Sequence, residues 1–520
     1  MPTVKVTIDG TELECDDSLN VIQAAALLGK SVPHYCWHPD MTVSGNCRMC
    51  LVEIETPRGP KADIACNTRV SEGMVVNTEN DSVKRMREQV LEFLFLNHPL
   101  DCPICDKAGE CLLQDYYQEH GLYEPRLDDD IKKVGKGVKA ERLSELIVFD
   151  NERCILCDRC VRFCREVEGK EELYIGGRGS PSKIVMFPGK QLTGEYQLCL
   201  SDICPVGALT STAFRFNKRV WFLEKAKSVC GLRDTGDTIF IEYKSGNVYR
   251  VMPRRHDGIN GVWVKDVSRL AYRDWEADRL TVARQGDRKL EFNEALMILA
   301  HAFRTGITQK WLLVVDNRLT LEEAYALKTV LEELGNARSA QADGRLTIER
   351  GPNGHGLDML GFDRFEDGML DSAEMVLAVG DFKEDLLKAF EAHDNLFLVT
   401  AHDTLLPDTC KLIVPLNEHM ERTGTFVNNQ NRVQRARKAF DAPLPNANGV
   451  ELAVFLAKSL GRSLAFSDQK QAFSEIARAH LDRPGMRWKD LGDKGILLQG
   501  EEHPKTLSSL SSNKKLTWSG

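Results

Sequence analysis

The chain has 520 residues, 28% of them charged and 42% hydrophobic, with 68 basic against 77 acidic side chains and a net charge of −9. That length supplies several buried cores and excludes a small stapled scaffold, while the acidic balance is wrong for a general nucleic-acid binder. No apolar run approaches the roughly 18 to 20 residues that span a bilayer. The longest cluster is Val90 to Leu96, and the opening MPTVKVTIDG lacks the basic and apolar regions of a signal peptide, so the expectation is a cytosolic chain that meets a membrane only through partners.

Residues 1–80 read as a compact α+β unit. VKVTI, the Asp9-Gly10 turn and TELE make a hairpin signal. A helix follows, capped by Asp17 or Ser18, with Val21, Ala25 and Leu28 on its apolar side and Gly29 closing it. LVEIE and ADIACNTRV are further strands, and this order of hairpin, helix, loop and strands is the pattern of a β-grasp ferredoxin. In residues 81–127 a helix from Ser82 to Leu96, with Val83, Met86, Val90, Phe93 and Leu94 on one side, ends at His98-Pro99. A short helix runs from Cys111 through LLQDYYQEH. Residues 128–141 are charged and suit an exposed connection, and 141–220 form a second cysteine-rich module. TIFIEY and VYRVM then read as strands around an SGN turn. From there KWLLVVDN, the helix TLEEAYALKTVLEELG, EMVLAVGD, NLFLVTAHD and CKLIVPL alternate strand and helix, which predicts a parallel α/β sheet within residues 221–460. Residues 461–520 hold helix and then a polar tail, LSSLSSNKKLTWSG.

The cysteines are unevenly placed: fourteen of the sixteen lie in residues 1–204. In a reducing compartment that density argues for metal ligation over disulfides. Cys36, Cys47, Cys50 and Cys66 are spaced C-x10-C-x2-C-x15-C, three thiols on an irregular loop and one on a returning strand, as a two-iron centre requires. Structural zinc, which also takes four thiolates, is the alternative. A Rieske centre fails, because the second histidine it needs would fall at Cys50. His98, Cys102, Cys105 and Cys111 form a second set in which the imidazole replaces an anionic thiolate, making the site less negative and easier to reduce; zinc bound by three thiolates and one imidazole is again the alternative. Cys154, Cys157 and Cys160 are the opening of a bacterial-type four-iron site. Its fourth ligand could be Cys164, Cys199 or Cys204, and Cys204 is the choice because it alone precedes a proline. Eleven cysteines and one histidine make twelve ligands. Cys15, Cys164, Cys199, Cys230 and Cys410 stay unassigned, with burial the default.

With these residues in place, the sequence resembles the large iron-sulfur subunits of bacterial NADH-quinone oxidoreductase, respiratory complex I. The match runs from Val4 to about Trp275 through HYCWHPDMTVSGNCRMCLVE, NHPLDCPICDKAGECLLQD, ERCILCDRCVRFCREV, GGRGS and DICPVGALTS. The resemblance implies a [2Fe-2S] cluster on the first four cysteines, a [4Fe-4S] cluster on His98 with its three cysteines, and another on Cys154, Cys157, Cys160 and Cys204. It also implies a peripheral place on the cytoplasmic side of the inner membrane. The implied partners are the NADH/FMN-binding subunit, the small [2Fe-2S] subunit and the iron-sulfur subunits of the quinone module. Downstream, PRRHDGINGVWVKD and IVPLNEHMERTGTFVNNQNRVQ look like a shortened molybdopterin-oxidoreductase domain. Some members bind a further four-iron cluster there, but Cys230 lacks its companions and Lys265 stands where those members have cysteine. No fourth cluster and no molybdopterin are expected, and GPNGHG at Gly351 to Gly356 is too weak a phosphate motif to change that.

No residue reads as a nucleophile or a general acid, and no strand-coupled dinucleotide fingerprint is present. The expectation is an electron-relay subunit with no complete active site of its own. The electron-transfer subunit of a bidirectional hydrogenase or NAD-dependent formate dehydrogenase is the nearest rival, and a zinc-stapled scaffold the rival from another class.

Overall fold

A computed structural model describes residues 2–499 apart from 125, 127–134, 136 and 138. The polar tail and most of the connection 128–141 lie outside the described residues. The chain divides into two compact units, one ending at Phe222 and the other beginning at Leu223.

In the first unit, β1 (Thr3–Ile8) and β2 (Thr11–Asp16) pair across the Asp9-Gly10 turn, where φ is positive at both residues, 47° and 77°. With β3 (Leu51–Ile54), β4 (Lys61–Ile64) and β5 (Met74–Asn77) they form a mixed sheet of order β2-β1-β5-β3-β4, β1 lying parallel to β5. Helix α1 (Val21–Leu27) packs Val21, Ala24 and Ala25 among Val6, Ile8, Val52 and Val76. Its cap is Asn20, with Gln23 completing a capping box, in place of the expected Asp17 or Ser18. The reason is local: the Asp16 carboxylate accepts the Ser18 N–H at 2.8 Å and holds a turn upstream of the helix.

Helix α2 (Asp81–Phe95) buries Val83, Arg87 and Leu91, a line that shares only Val83 with the expected stripe, and Phe93 is 71% exposed. That line faces β3 and α3 (Leu112–His120), so an arginine is carried inside and a phenylalanine left outside. Strands Ile147–Phe149 and Leu209–Ser211 pair antiparallel, and helices α4 (Arg159–Glu166) and α5 (Gln197–Ile203) fall between them in chain order.

The second unit starts with three antiparallel strands, Glu224–Val229, Thr238–Lys244 and Asn247–Pro253. An eight-stranded sheet follows. Six parallel strands run in the order Leu412–Pro415, Leu396–Thr400, Met375–Val379, Trp311–Asp316, Ala337–Ala342 and Asp363–Arg364, with an antiparallel hairpin on the first edge. The central strands are buried on both faces, hence their unbroken apolar runs. Strand Ala337–Ala342, ARSAQA, has no such run and no sequence signal; neighbours on both sides impose it. Helix Gln469–Ala479 contributes Phe473 and Ile476 to the same core, and Trp488 Nε1 donates to buried Glu322 at 2.9 Å.

Chain order reverses between Trp311–Asp316 and Met375–Val379, the position where open parallel sheets form a crevice at their carboxyl ends. Here the chain's own charges crowd that end. Arg318 pairs with Glu418 and lies 3.6 Å from Asp381. His402 Nε2 donates to the Asp274 carbonyl, and its Nδ1 stands 3.0 Å from Asp381 and 3.6 Å from Glu418. Burial works against both carboxylates, but the cations outweigh it and hold them below their usual range. Burial likewise opposes the His402 imidazolium, and its bond to Asp381 outweighs that and raises its pKa. Asp316, by contrast, is pushed up to about 7, chiefly by burial.

A raised histidine stabilises the fold fully below its unfolded value and loses that contribution as pH rises through its folded one. The chain should therefore lose stability as pH rises above the ordinary histidine range, and His402→Gln should flatten that limb in denaturant titrations. On the acid side, stability falls as Asp381 and Glu418 protonate below their ordinary range, offset by Asp316, which takes up its proton in the folded state first.

Candidate metal centres

Pairing of β3 with β4 brings Cys50 beside Cys66, and the Ala65 N–H donates to the Cys50 carbonyl at 2.9 Å. The loop between α1 and β3 returns Cys36 and Cys47 to the same place. Its Gly45, at φ 69°, packs so tightly that a Cβ there would stand 2.8 Å from Ile64 Cδ1. The four thiols converge: Cys36 shares hydrogen bonds with Cys47 and Cys66, and Cys50 shares one with Cys66. These bonds push Cys36 and Cys50 below the ordinary thiol range and Cys47 and Cys66 above it. Backbone N–H groups of Asn46 and Cys47 point at the Cys36 sulfur, and the Cys36 N–H reaches Cys47 Sγ at 3.5 Å. Four convergent sulfurs wrapped in amide donors fit a thiolate-held metal centre.

Cys154, Cys157, Cys160 and Cys204 line one small closed cavity with Phe149, Ile184 and Leu209. Left-handed backbone at Leu156 and Asp158, φ 55° and 60°, curls the first three thiols inward, and the Leu156 N–H reaches Cys154 Sγ at 3.4 Å. Cys204 closes the set from the C-terminus of α5. Burial raises the Cys157 and Cys160 thiols, with Cys154 and Cys204 adding to both, so a metal taking these thiolates would displace protons. Cys164 lies one turn further along α4, outside the cavity; burial and then Glu172 and Glu168 push it up to about 12. Cys199 is buried in α5.

Cys102 begins a single 3-10 turn, Cys105 follows it, and Cys111 is the N-cap of α3. Burial raises both Cys105 and Cys111, the latter to about 11. His98 stands just beyond α2, its N–H on the Leu94 carbonyl and its ring edge-on to Phe95 at 6.1 Å. This segment is tied to the Cys154 module: the Leu112 N–H donates to the Pro205 carbonyl at 3.0 Å, Lys107 Nζ to Ser201 at 2.9 Å, and Arg219 to the Cys105 and Pro103 carbonyls.

The first and third thiol sets are joined through α4. Ser44 Oγ donates to Asp158 at 2.7 Å, Asn46 to the Leu156 carbonyl at 3.2 Å, and the Thr42 N–H to Glu166 at 2.8 Å. Arg162 bonds Asp158 at 2.7 Å and reaches the Cys36 and Thr42 carbonyls, while Arg159 bridges the Trp37 carbonyl at 2.6 Å and the Ile203 carbonyl at 3.0 Å. Neither arginine was among the site residues expected from sequence. They lie inside the motif DRCVRFC, but no spacing rule signals a contact across 120 residues.

None of the sixteen cysteines forms a disulfide. Cys15, Cys230 and Cys410 are buried singly, Cys230 against Ser268 and pushed up to about 11 by burial. One thiol does not make a four-iron site. Asp381, His402 and Glu418 bring three potential ligand atoms within 4.8 Å of one another. Arg318 already supplies a cation beside both carboxylates, and Asp381 Oδ1 accepts from Thr400, Ala401 and His402, while Glu418 Oε2 and His402 Nδ1 are buried with no partner in hydrogen-bond geometry among the described residues.

Four stretches match known families. Residues 1–81 match a 2Fe-2S iron-sulfur cluster binding domain, and residues 87–126 the NADH-ubiquinone oxidoreductase-G iron-sulfur binding region. Residues 144–210 match the ferredoxin-like domain of NADH-quinone oxidoreductase subunit 3. The chain belongs to the NADH-quinone oxidoreductase-G family. The family's representative in Rickettsia felis, a subunit of NADH-quinone oxidoreductase, is 36% identical over 338 residues, 64% of this chain and 49% of that protein. The mitochondrial 78 kDa subunit of NADH-ubiquinone oxidoreductase from Candida albicans is 35% identical over 386 residues, 72% of this chain and 52% of that protein. This member of the oxidoreductase-G family thus spans about half the length of the curated relatives it matches. A chain of an NAD+-reducing [NiFe]-hydrogenase aligns with 42% of it and 91% of its own length at 32% identity, with a TM-score of 0.37. Residues 223–273 match an NDSU1/NuoG-like 4Fe-4S domain, yet Cys230 is the one cysteine of that segment.

Gly207 packs directly on Cys105: a Cβ there would stand 2.1 Å from the sulfur. Gly207→Ala should therefore displace that thiol and weaken metal binding by any centre that includes Cys105. Elemental analysis checks this, with a loss of about four iron atoms if the centre is a four-iron cluster.

Proposed function

We propose that this chain is the iron-sulfur relay subunit of an NADH-quinone oxidoreductase, passing electrons one at a time from an NADH- and flavin-binding subunit toward a quinone-reducing module. The observation that carries the reading is the convergence, within one unit, of two four-thiol sets on loops pinned to a shared helix. When bound, iron-sulfur clusters supply one-electron exchange; the protein's part is to hold them, surround them with amide donors and exclude water. Cys36, Cys47, Cys50 and Cys66 would hold a [2Fe-2S] cluster. His98, Cys102, Cys105 and Cys111 would hold one [4Fe-4S] cluster, and Cys154, Cys157, Cys160 and Cys204 another. The lone Cys230 argues against a fourth.

In this reading residues 1–80, 81–127 and 141–220 are three cluster modules. Residues 221–460 are a shortened molybdopterin-oxidoreductase-like domain, followed by the extension 461–520. Arg318, Asp381, His402 and Glu418 fill part of the sheet's carboxyl end, beside a cavity of about 330 Å³ lined by Asn317, Asp343 and Lys383, and this reading gives the domain a packing role without pterin. No helix among the described residues is long and apolar enough to cross a membrane. The proposal gives the chain a peripheral position on the cytoplasmic side, against the NADH/FMN subunit, the small [2Fe-2S] subunit and the iron-sulfur subunits of the quinone module, with no complete active site of its own.

Anaerobically purified chain should contain about ten iron atoms with matching acid-labile sulfide; a colourless zinc protein would overturn the reading. Cys204→Ala should abolish one [4Fe-4S] paramagnetic signal while Cys164→Ala leaves it, and the reverse pattern would reassign the ligand. His98→Cys should keep its cluster but lower the potential, because a thiolate replaces a neutral ligand; an unchanged potential removes His98 from the ligand set.

A further inference from the structure

Two buried arginines of the first unit, Arg87 and Arg159, form no ion pair among the described residues, and Arg159 is the one that reaches both flanking thiol sets. It is 7% exposed, and both terminal nitrogens donate to carbonyls, those of Trp37 and Ile203. Carbonyls satisfy hydrogen bonds but carry no charge. Nε has no partner, and among the described residues no carboxylate pairs with this guanidinium. Its buried neighbours are neutralised: Arg153 pairs with Asp101 at 3.2 Å and Asp150 at 3.4 Å, and Arg162 with Asp158 at 2.7 Å. An uncompensated buried cation is costly, so a fold retains one only where anionic charge is near. The two carbonyls it holds belong to the residues adjoining Cys36 and Cys204, one from each thiol set.

We propose that Arg159 is the shared buried counter-ion of the two cluster sites flanking it, Cys36/Cys47/Cys50/Cys66 and Cys154/Cys157/Cys160/Cys204, and that its charge raises the tendency of both to accept an electron. The inference rests on the ligand sets proposed above. A cluster held by four thiolates is anionic, and taking one electron from a donor adds one negative charge, with no bond made or broken in the chain. A fixed positive charge between two such sites stabilises each reduced form more than its oxidised form. Because the charge is shielded from water, screening by salt does little to weaken it.

The test uses the full chain, purified without oxygen and titrated with dithionite while the two paramagnetic signals are followed. Absence of both clusters from the native chain overturns the ligand sets and this proposal together; their presence upholds the former and leaves Arg159 to be judged by potential. R159Q should lower the reduction equilibrium of both sites at least tenfold, which is about 59 mV for a one-electron step. R159K keeps the charge while giving up the two-carbonyl fork, and should hold both potentials within threefold of native. If R159Q fails to assemble its clusters, R159K alone decides: unchanged potentials support the charge, and a tenfold fall in both overturns it in favour of a purely positional clamp. R159Q with native potentials, or with only one shifted, overturns the shared role.

Discussion

Irregular loops cannot hold themselves in place through their own backbone hydrogen bonds, and the thiol sets of this chain sit on such loops. The segment from Val32 to Cys50 leaves carbonyls such as Trp37, Cys36 and Thr42 outside any helix or sheet, and each is satisfied by an arginine of α4. A planar guanidinium with several donors suits that task, because one side chain can fix two carbonyls that the fold brings together from distant parts of the sequence. The positions of the sulfurs therefore depend on charged side chains belonging to another module. The same side chains bring positive charge next to groups that must be anionic to bind metal, so mechanical support and electrostatic support come from one device.

The second unit meets a related problem with a different outcome. A parallel sheet whose chain order reverses opens a crevice at its carboxyl end, and polar groups arriving there need partners. Arg318, Asp381, His402, Glu418 and Asp316 arrive from successive strand ends and partner one another. Two cations balance two carboxylates, and the fifth group, Asp316, is eased toward its neutral form by burial. Close approaches reinforce the packing: a Cβ on Gly380 would stand 2.1 Å from that of Asp316. A cavity ready for a cofactor in one sheet is, in this one, partly filled by side chains.

Much of the local structure was legible before any coordinates. The hairpin turn at Asp9-Gly10, the buried strands from Trp311 to Pro415 and the exit of α2 before Pro99 all follow from composition and period, because they depend on neighbours within a few residues. Misreadings arose where one hydrogen bond tipped a balance. Asp17 and Ser18 are good caps, but Asp16 had already engaged Ser18 in a turn, leaving Asn20 to begin the helix. The apolar stripe expected on α2 gave way to one containing Arg87, since a helix buries the side its neighbours cover. Strand Ala337–Ala342 was invisible because its pairing partners, not its residues, make it a strand.

The sequence by itself determined which atoms are available: the tight cysteine spacings, the absence of a dinucleotide fingerprint and the lack of companions for Cys230 are facts of order along the chain. Only the tertiary structure decided which thiols meet. Cys164 and Cys204 are both plausible from spacing, and the fold puts Cys204 in the cavity with Cys154, Cys157 and Cys160 while turning Cys164 toward Glu168 and Glu172. Arg159 and Arg162 acquire their meaning in the same way, from carbonyls up to 126 residues away. Spacing constrains groups on one turn or loop, whereas electrostatic and hydrogen-bond partners are chosen by distance in space, which no local pattern encodes.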